Sequence, residues 1–217
     1  MSKQEWPVHR SPKGDGVMRR KTFDIIASGI GLGLTLALVL AGALLLWASA
    51  FTNNEIHNQL AMQDVTFPAA SAFAHAKPGT EITPGMKPYL LKYAGQEVLT
   101  GAQAEAYADH FIAVHLSEMP YHGVYSKVTA AAMANPTNAA LAAEVQTVFR
   151  GTTLRSMLLE AYGFGIMGSI AFLAAIVAFV LAAVTLLLTW FEFGHGRRVS
   201  PAVEVFAPQV GGLHPAR

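Results

Sequence analysis

Two stretches of about thirty residues carry no Asp, Glu, Lys or Arg, one between Asp24 and Glu55 and the other between Glu160 and Glu192. Roughly 20 apolar helical residues suffice to cross the hydrocarbon core of a bilayer. Inside that core no water is present to bond a backbone N–H or C=O, so a single segment can cross only as a helix. The pattern predicts an all-α membrane protein, with two transmembrane helices flanking a mostly helical extracytoplasmic domain. A charged fraction of only 13% agrees with that class.

The first span holds twelve Leu, Ile and Val residues between Ile25 and Trp47. Each favours insertion by about 0.3–0.6 kcal/mol, which outweighs the weakly polar Ser28 and Thr35. The second, from Phe164 to Trp190, is richer still in Phe, Ile, Val and Leu and has no proline. Trp47 and Trp190 fall at the ends of the two runs, where an indole prefers the lipid–water boundary. Arg19, Arg20 and Lys21 precede the first span and Arg197 and Arg198 follow the second. The positive-inside rule then places both termini in the cytoplasm of a plasma-membrane protein.

The expected layout is a cytoplasmic tail over 1–23, a first span over 24–50 and an outer domain over 51–155. A helix leading into and including the second span follows over 156–192, and a cytoplasmic tail over 193–217. A cleaved signal peptide is the rival for the first span, since Ala48-Ser49-Ala50 imitates a cleavage site. Signal cores run about 7–15 residues, and this apolar core is longer than that. The twin arginines give only a weak hint of a twin-arginine signal, because Lys21-Thr22-Phe23 puts its aromatic in the wrong place.

Small residues recur at helical spacing: Gly29 and Gly33 in the first span, Ala161, Gly165 and Ser169 at the start of the second. In lipid, small side chains let backbones approach closely. These positions are candidate contacts between the two spans, with an identical copy, or with a larger membrane complex.

In the outer domain, Asn54 to Met62 reads as a polar continuation of the first helix. From Asp64 to Lys87, Pro68, Pro78-Gly79, Pro84 and Gly85 interrupt every periodic pattern, and only Val65-Thr66-Phe67 resembles a strand. So long an irregular stretch is expected to pack on something or bind something. Thr100 and Gln103 form a capping-box signature for a helix with Ala104, Tyr107, Ala108, Phe111, Ile112 and His115 on one face. It should stop near Glu118, before Pro120. A second helix is expected from Tyr125 to Ala134. Asn135-Pro136 reads as the start of a third, which Gly151 should end, with Thr152 or Thr153 capping a last helix into the second span.

No cysteine is present, which excludes disulfides and thiolate chemistry. A net charge of +1 leaves no dense basic face for nucleic acid. No phosphate loop or nucleophile elbow occurs. His110 and His115 are five apart, and Pro120 separates His115 and Glu118 from His122, so no metal-ligand spacing emerges. Glu105 and Asp109 read as a solvated acidic pair, and Arg155 and Glu160 as lipid-surface or ion-pairing groups. Tyr89, Tyr93, Tyr121 and Tyr125 read as packing residues with wet hydroxyls. No catalytic residue, metal or cofactor is expected.

Tyr107-Ala108-Asp109-His110-Phe111-Ile112, His115-Leu116, Gly123-Val124-Tyr125-Ser126 and Thr153-Leu154-Arg155 together resemble a group of actinobacterial two-span membrane proteins. Members often carry the name aromatic ring-opening dioxygenase. Extradiol chemistry of the common kind needs two histidines and a carboxylate on one face of an iron site. His110, His115, Glu118 and His122 do not align in that way. The resemblance therefore implies a membrane protein of this two-span plan, with Tyr107, Asp109, His115, Tyr125 and Arg155 as candidate motif residues of the outer domain.

The sequence leads to a non-enzymatic accessory or scaffold protein whose outer domain docks on a partner or on itself. The alternatives are an extracytoplasmic small-ligand binding or sensing module, and a metal-dependent enzyme. Because the chain lacks cysteine, single-cysteine variants give a clean topology test. A cysteine at position 130 should react with a membrane-impermeant maleimide in intact cells, while cysteines at positions 13 and 205 should react only after permeabilisation.

Overall fold

The computed structural model describes residues 20–196, with side chains from 24 to 194. Arg19, Arg197, Arg198 and the greater part of both expected tails lie outside the described residues. Within them the chain is all-helical, with two long apolar helices and no strand. Helix α1 spans Arg20–Ala61 and helix α7 spans Ala139–Gly196. Both are long and apolar enough to cross a membrane, and only 11% and 17% of their most apolar windows is buried. A helix from the core of a soluble protein would be mostly covered; these expose Leu, Ile, Val and Phe along much of their length.

The described chain divides into two compact units. One comprises 20–41 and 177–196, the other 42–176. In the first, Thr35 Oγ donates to the Gly31 carbonyl at 2.8 Å and lies 3.0 Å from Thr185 Oγ. Thr189 Oγ donates in turn to the Thr185 carbonyl. A Cβ added to Gly31 would overlap the Thr189 hydroxyl. Threonine hydroxyls facing a glycine thus form the seam, where polar groups bond across helices and the missing side chain lets the backbones close.

The second unit is built on the ends of α1 and α7. Its core contains Ile56 and Leu60 from α1 and Leu158 from α7. The irregular stretch supplies Phe67, Phe73, Ile82 and Met86, all buried. Asp64, at φ 51°, ends α1 in the left-handed conformation that Asp tolerates better than most residues. Val65–Phe67 pairs with Gln96–Val98 through a single antiparallel bridge, Thr66 to Glu97, flanked by Phe67 N–H to Gln96 and Val98 N–H to Val65. After α2 (Ala70–Ala74), a loop closes around Thr80, whose hydroxyl lies 2.8 Å from the carbonyls of both Lys77 and Ile82. A 3-10 turn over Pro84–Met86 leads into α3 (Lys87–Leu90), which buries Leu90 completely. Cutting a side chain such as Leu90 to alanine typically costs about 2–5 kcal/mol.

Helix α4 (Gly101–Tyr107) starts with the expected reciprocal capping box between Thr100 and Gln103. It passes into a π turn, Ala108–Ile112, and then α5 (Ala113–Glu118), which stops before Pro120 as expected. In the turn Pro120–Gly123, Tyr121 and His122 have φ of 58° and 54°, and Gly123 has 62°. Helix α6 occupies Tyr125–Ala134.

Two expected boundaries move. Asn135 closes α6, with its side-chain amide donating to the Ala131 carbonyl at 3.1 Å. Asn138 instead caps α7, its Oδ1 accepting from the N–H groups of Ala140 and Leu141. Gly151 ends nothing: α7 runs through it. A Cβ there would stand 2.9 Å from a Leu116 methyl, so the glycine is a socket for a neighbouring side chain. Leu116 is held from its other side by Gly123, where an added Cβ would overlap the Leu116 carbonyl.

Gly123 and Gly79 share a positive φ, but nothing lies within 4 Å of a Cβ at Gly79. Gly79→Ala should cost about 1–2 kcal/mol, the left-handed penalty alone. Gly123→Ala should cost clearly more, because the Leu116 carbonyl must also move. Thermal unfolding of both variants in one detergent checks the difference.

Candidate functional site

The sequence at 107–115 winds through the π turn, an arrangement often associated with functional positions. Here it presents three successive side chains to different partners. Asp109 receives Arg155 Nη2 at 2.5 Å, an ion pair joining the π turn to α7. Both side chains are about a third exposed, at 38% for Arg155 and 34% for Asp109. A pair this open is ordinarily worth about 0.2–1 kcal/mol. The Arg155 Nε is buried and has no hydrogen-bond partner among the described residues. His110 stacks on Tyr89 with ring centroids 3.5 Å apart. Phe111 lies between Tyr107 and His115, at 4.7 and 4.5 Å.

Tyr107 also meets Phe67 edge-on at 5.4 Å, and Phe67 meets Tyr93 at 5.2 Å. The rings of Tyr93, Phe67, Tyr107, Phe111 and His115 therefore form one continuous row across the 42–176 unit. Lys92 closes one end with its ammonium 4.6 Å from the Tyr93 centroid. At the other, His115 Nδ1 lies 2.8 Å from the Phe111 carbonyl. Burial pushes the Tyr107 phenol above its ordinary value, and the Glu81 carboxylate adds to the rise.

Of the candidate motif residues, Tyr107, Asp109, His115 and Arg155 thus gather around the π turn. Tyr125 stands apart, 5.8 Å from Phe149 where α6 meets the start of α7. The Asp109–Arg155 pair escaped the sequence reading because 46 positions separate its members. Their presence in the two ends of the family-like motif was the one signal for it. Among the described residues no three His, Asp or Glu side chains gather in a way that could hold a metal ion. His110, His115 and His122 each have a separate neighbour, and His122 Nδ1 lies 3.3 Å from the Ser117 carbonyl.

The small-residue candidates fall into three places. Gly29 and Gly33 meet no neighbour within 4 Å of an added Cβ, and Gly31 between them holds the seam. A Cβ added at Gly165 would lie 3.4 Å from Gly101 Cα, and one added at Gly101 would lie 3.1 Å from the Ala161 carbonyl. Ala161 and Gly165 therefore seat the start of α4 against α7. Ser169 Oγ donates back to the Gly165 carbonyl at 3.0 Å and stays exposed.

The raised Tyr107 pKa fixes the sign of a pH effect. The folded state holds this proton more tightly than the unfolded chain, so its contribution is intact below pH 10.0, the ordinary value, and is lost as pH rises through the higher folded value. Tyr107→Phe should flatten the alkaline fall in stability above about pH 10. Denaturation midpoints of the two proteins across that range test this.

Searches against protein-family models, curated proteins and solved structures find no match for this chain.

Proposed function

We propose that the protein is a non-enzymatic, membrane-anchored platform. Its two long helices span the plasma membrane with both termini in the cytoplasm, and its outer domain docks on a partner membrane complex or on an identical copy. The reading is supported most by one surface. Residues 119–149 contain only two charged side chains, Lys127 and Glu144. Within this segment Tyr121, Val124, Tyr125, Met133 and Phe149 are all exposed, Met133 by 76% and Phe149 by 51%.

Large apolar side chains clustered on an otherwise folded domain mark interaction surfaces, and scattered single ones do not. Tyr, Phe and Met are also the residue types that enrich interfaces. The left-handed backbone at Tyr121 and His122 costs about 1–3 kcal/mol per residue. A conformation that costly persists only where its surroundings impose it, so the turn beside the exposed aromatics is fixed by its neighbours. The irregular stretch from Asp64 to Lys87 turns its apolar side chains into the core, which favours docking over enclosure of a small ligand.

Gentle extraction followed by native mass spectrometry tests the proposal. The wild-type chain should appear in a larger assembly, and Phe149→Glu should release it while stability changes by no more than about 0.5 kcal/mol, as for an exposed site. A wild-type chain that is monomeric and alone would overturn it.

A further inference from the structure

In the unit formed by 20–41 and 177–196, a groove of about 690 Å³ runs along one side of the α1–α7 seam. That volume lies within the range of about 300–1,000 Å³ typical of small-molecule sites. Its α1 wall is Ile25, Ser28, Gly29 and Leu32, a single helical face. Its α7 wall includes Leu186, Trp190 and Gly194. The groove owes its depth to absent side chains, since an added Cβ at either Gly29 or Gly194 would touch nothing within 4 Å.

One polar group on this wall lacks a partner. Ser28 is only 7% exposed, and its hydroxyl makes no hydrogen bond among the described residues. A serine in a membrane helix ordinarily donates to a carbonyl one turn back, as Thr35 does to Gly31 here. Ser28 instead leaves a donor free beside an apolar groove, one turn inside the start of the span. The ester carbonyls of a glycerophospholipid lie at that boundary between head group and hydrocarbon.

Charge selects among lipids. Arg19, Arg20 and Lys21 precede Ile25, and Arg197 and Arg198 follow Gly194, against the two acids Asp24 and Glu192. Basic residues beside a membrane helix attract anionic lipid at about 1 kcal/mol each. A smaller groove on the other side of the seam, about 390 Å³, is lined by Glu192, which disfavours an anion there.

We infer that the Gly29 groove holds one anionic phospholipid of the cytoplasmic leaflet, with an acyl chain between Leu32 and Leu186 and an ester carbonyl accepting from Ser28. This rests on the membrane-spanning reading above. The full-length protein in a nonionic detergent, titrated with equimolar phosphatidylglycerol and phosphatidylcholine, should retain one phosphatidylglycerol in native mass spectra under activation that strips the phosphatidylcholine.

Gly29→Leu fills the groove without striking a neighbour and should lower that retention about tenfold, equivalent to roughly 1.4 kcal/mol. Gly33→Leu also extends into open space but lies outside the groove, and should leave retention unchanged. Equal effects of the two variants, or equal retention of the two lipids, would overturn the inference. So would a dimer that Gly29→Leu alone abolishes, which assigns the groove to a second copy. If the chain stays in carbonate-washed membranes yet retains no lipid, this inference alone fails; if carbonate releases the chain, the proposed function fails with it.

Discussion

Leu116 occupies a joint on which the unit of residues 42–176 depends. Gly151 gives it a socket on α7, and Gly123 lets the chain turn over its carbonyl immediately afterwards. A β-carbon at Gly151 would crowd a Leu116 methyl, and one at Gly123 would strike the Leu116 carbonyl and force the turn off the end of α5. Helix α7, further along, receives the start of α4 where Gly101 lies on Ala161 and Gly165. Glycines thus decide where the outer helices touch α7, and the apolar core formed by Phe67, Phe73, Met86, Leu90 and Leu158 fills in between.

In the other unit the division of labour is similar. Gly31 gives up its side chain so that Thr189 can approach, and Thr35 meets Thr185 through a hydroxyl contact. A single hydroxyl contact of this kind is worth little, so close packing must carry much of the association. Gly29 and Gly33 lie on the same helix yet bear on nothing. A small residue in a long apolar helix is therefore one of two things: a contact or a recess.

Much of this was legible in the sequence. The charge-free stretches gave the two long helices, Thr100 and Gln103 gave the start of α4, Pro120 gave the end of α5, and α6 lies over the expected residues. What was not legible shares a physical cause. Glycine after an apolar stripe is the same signal whether it stops a helix or admits a neighbour, so Gly151 was misread. Asn135 and Asn138 are both good caps, and only the direction of their hydrogen bonds shows which helix each one serves. The π turn has no compositional mark. The stretch from Asp64 to Lys87 has no period because a bridge, a threonine-closed loop and short helical turns follow one another there, each too brief to repeat. Of the candidate site, the residue types were visible, but the pairing of Asp109 with Arg155 and the row of rings through Tyr107 were not.

The claim that carries the rest is that α7 is one helix from Ala139 onward and that α5 closes on it at Gly151 through Leu116. Amide hydrogen exchange of the full-length protein in lipid nanodiscs measures this directly. Amides from 148 to 158 should be protected as strongly as those of the core around Leu90, with no gap at Gly151. Rapid exchange confined to residues 150–154 would show a break in the helix and contradict the account.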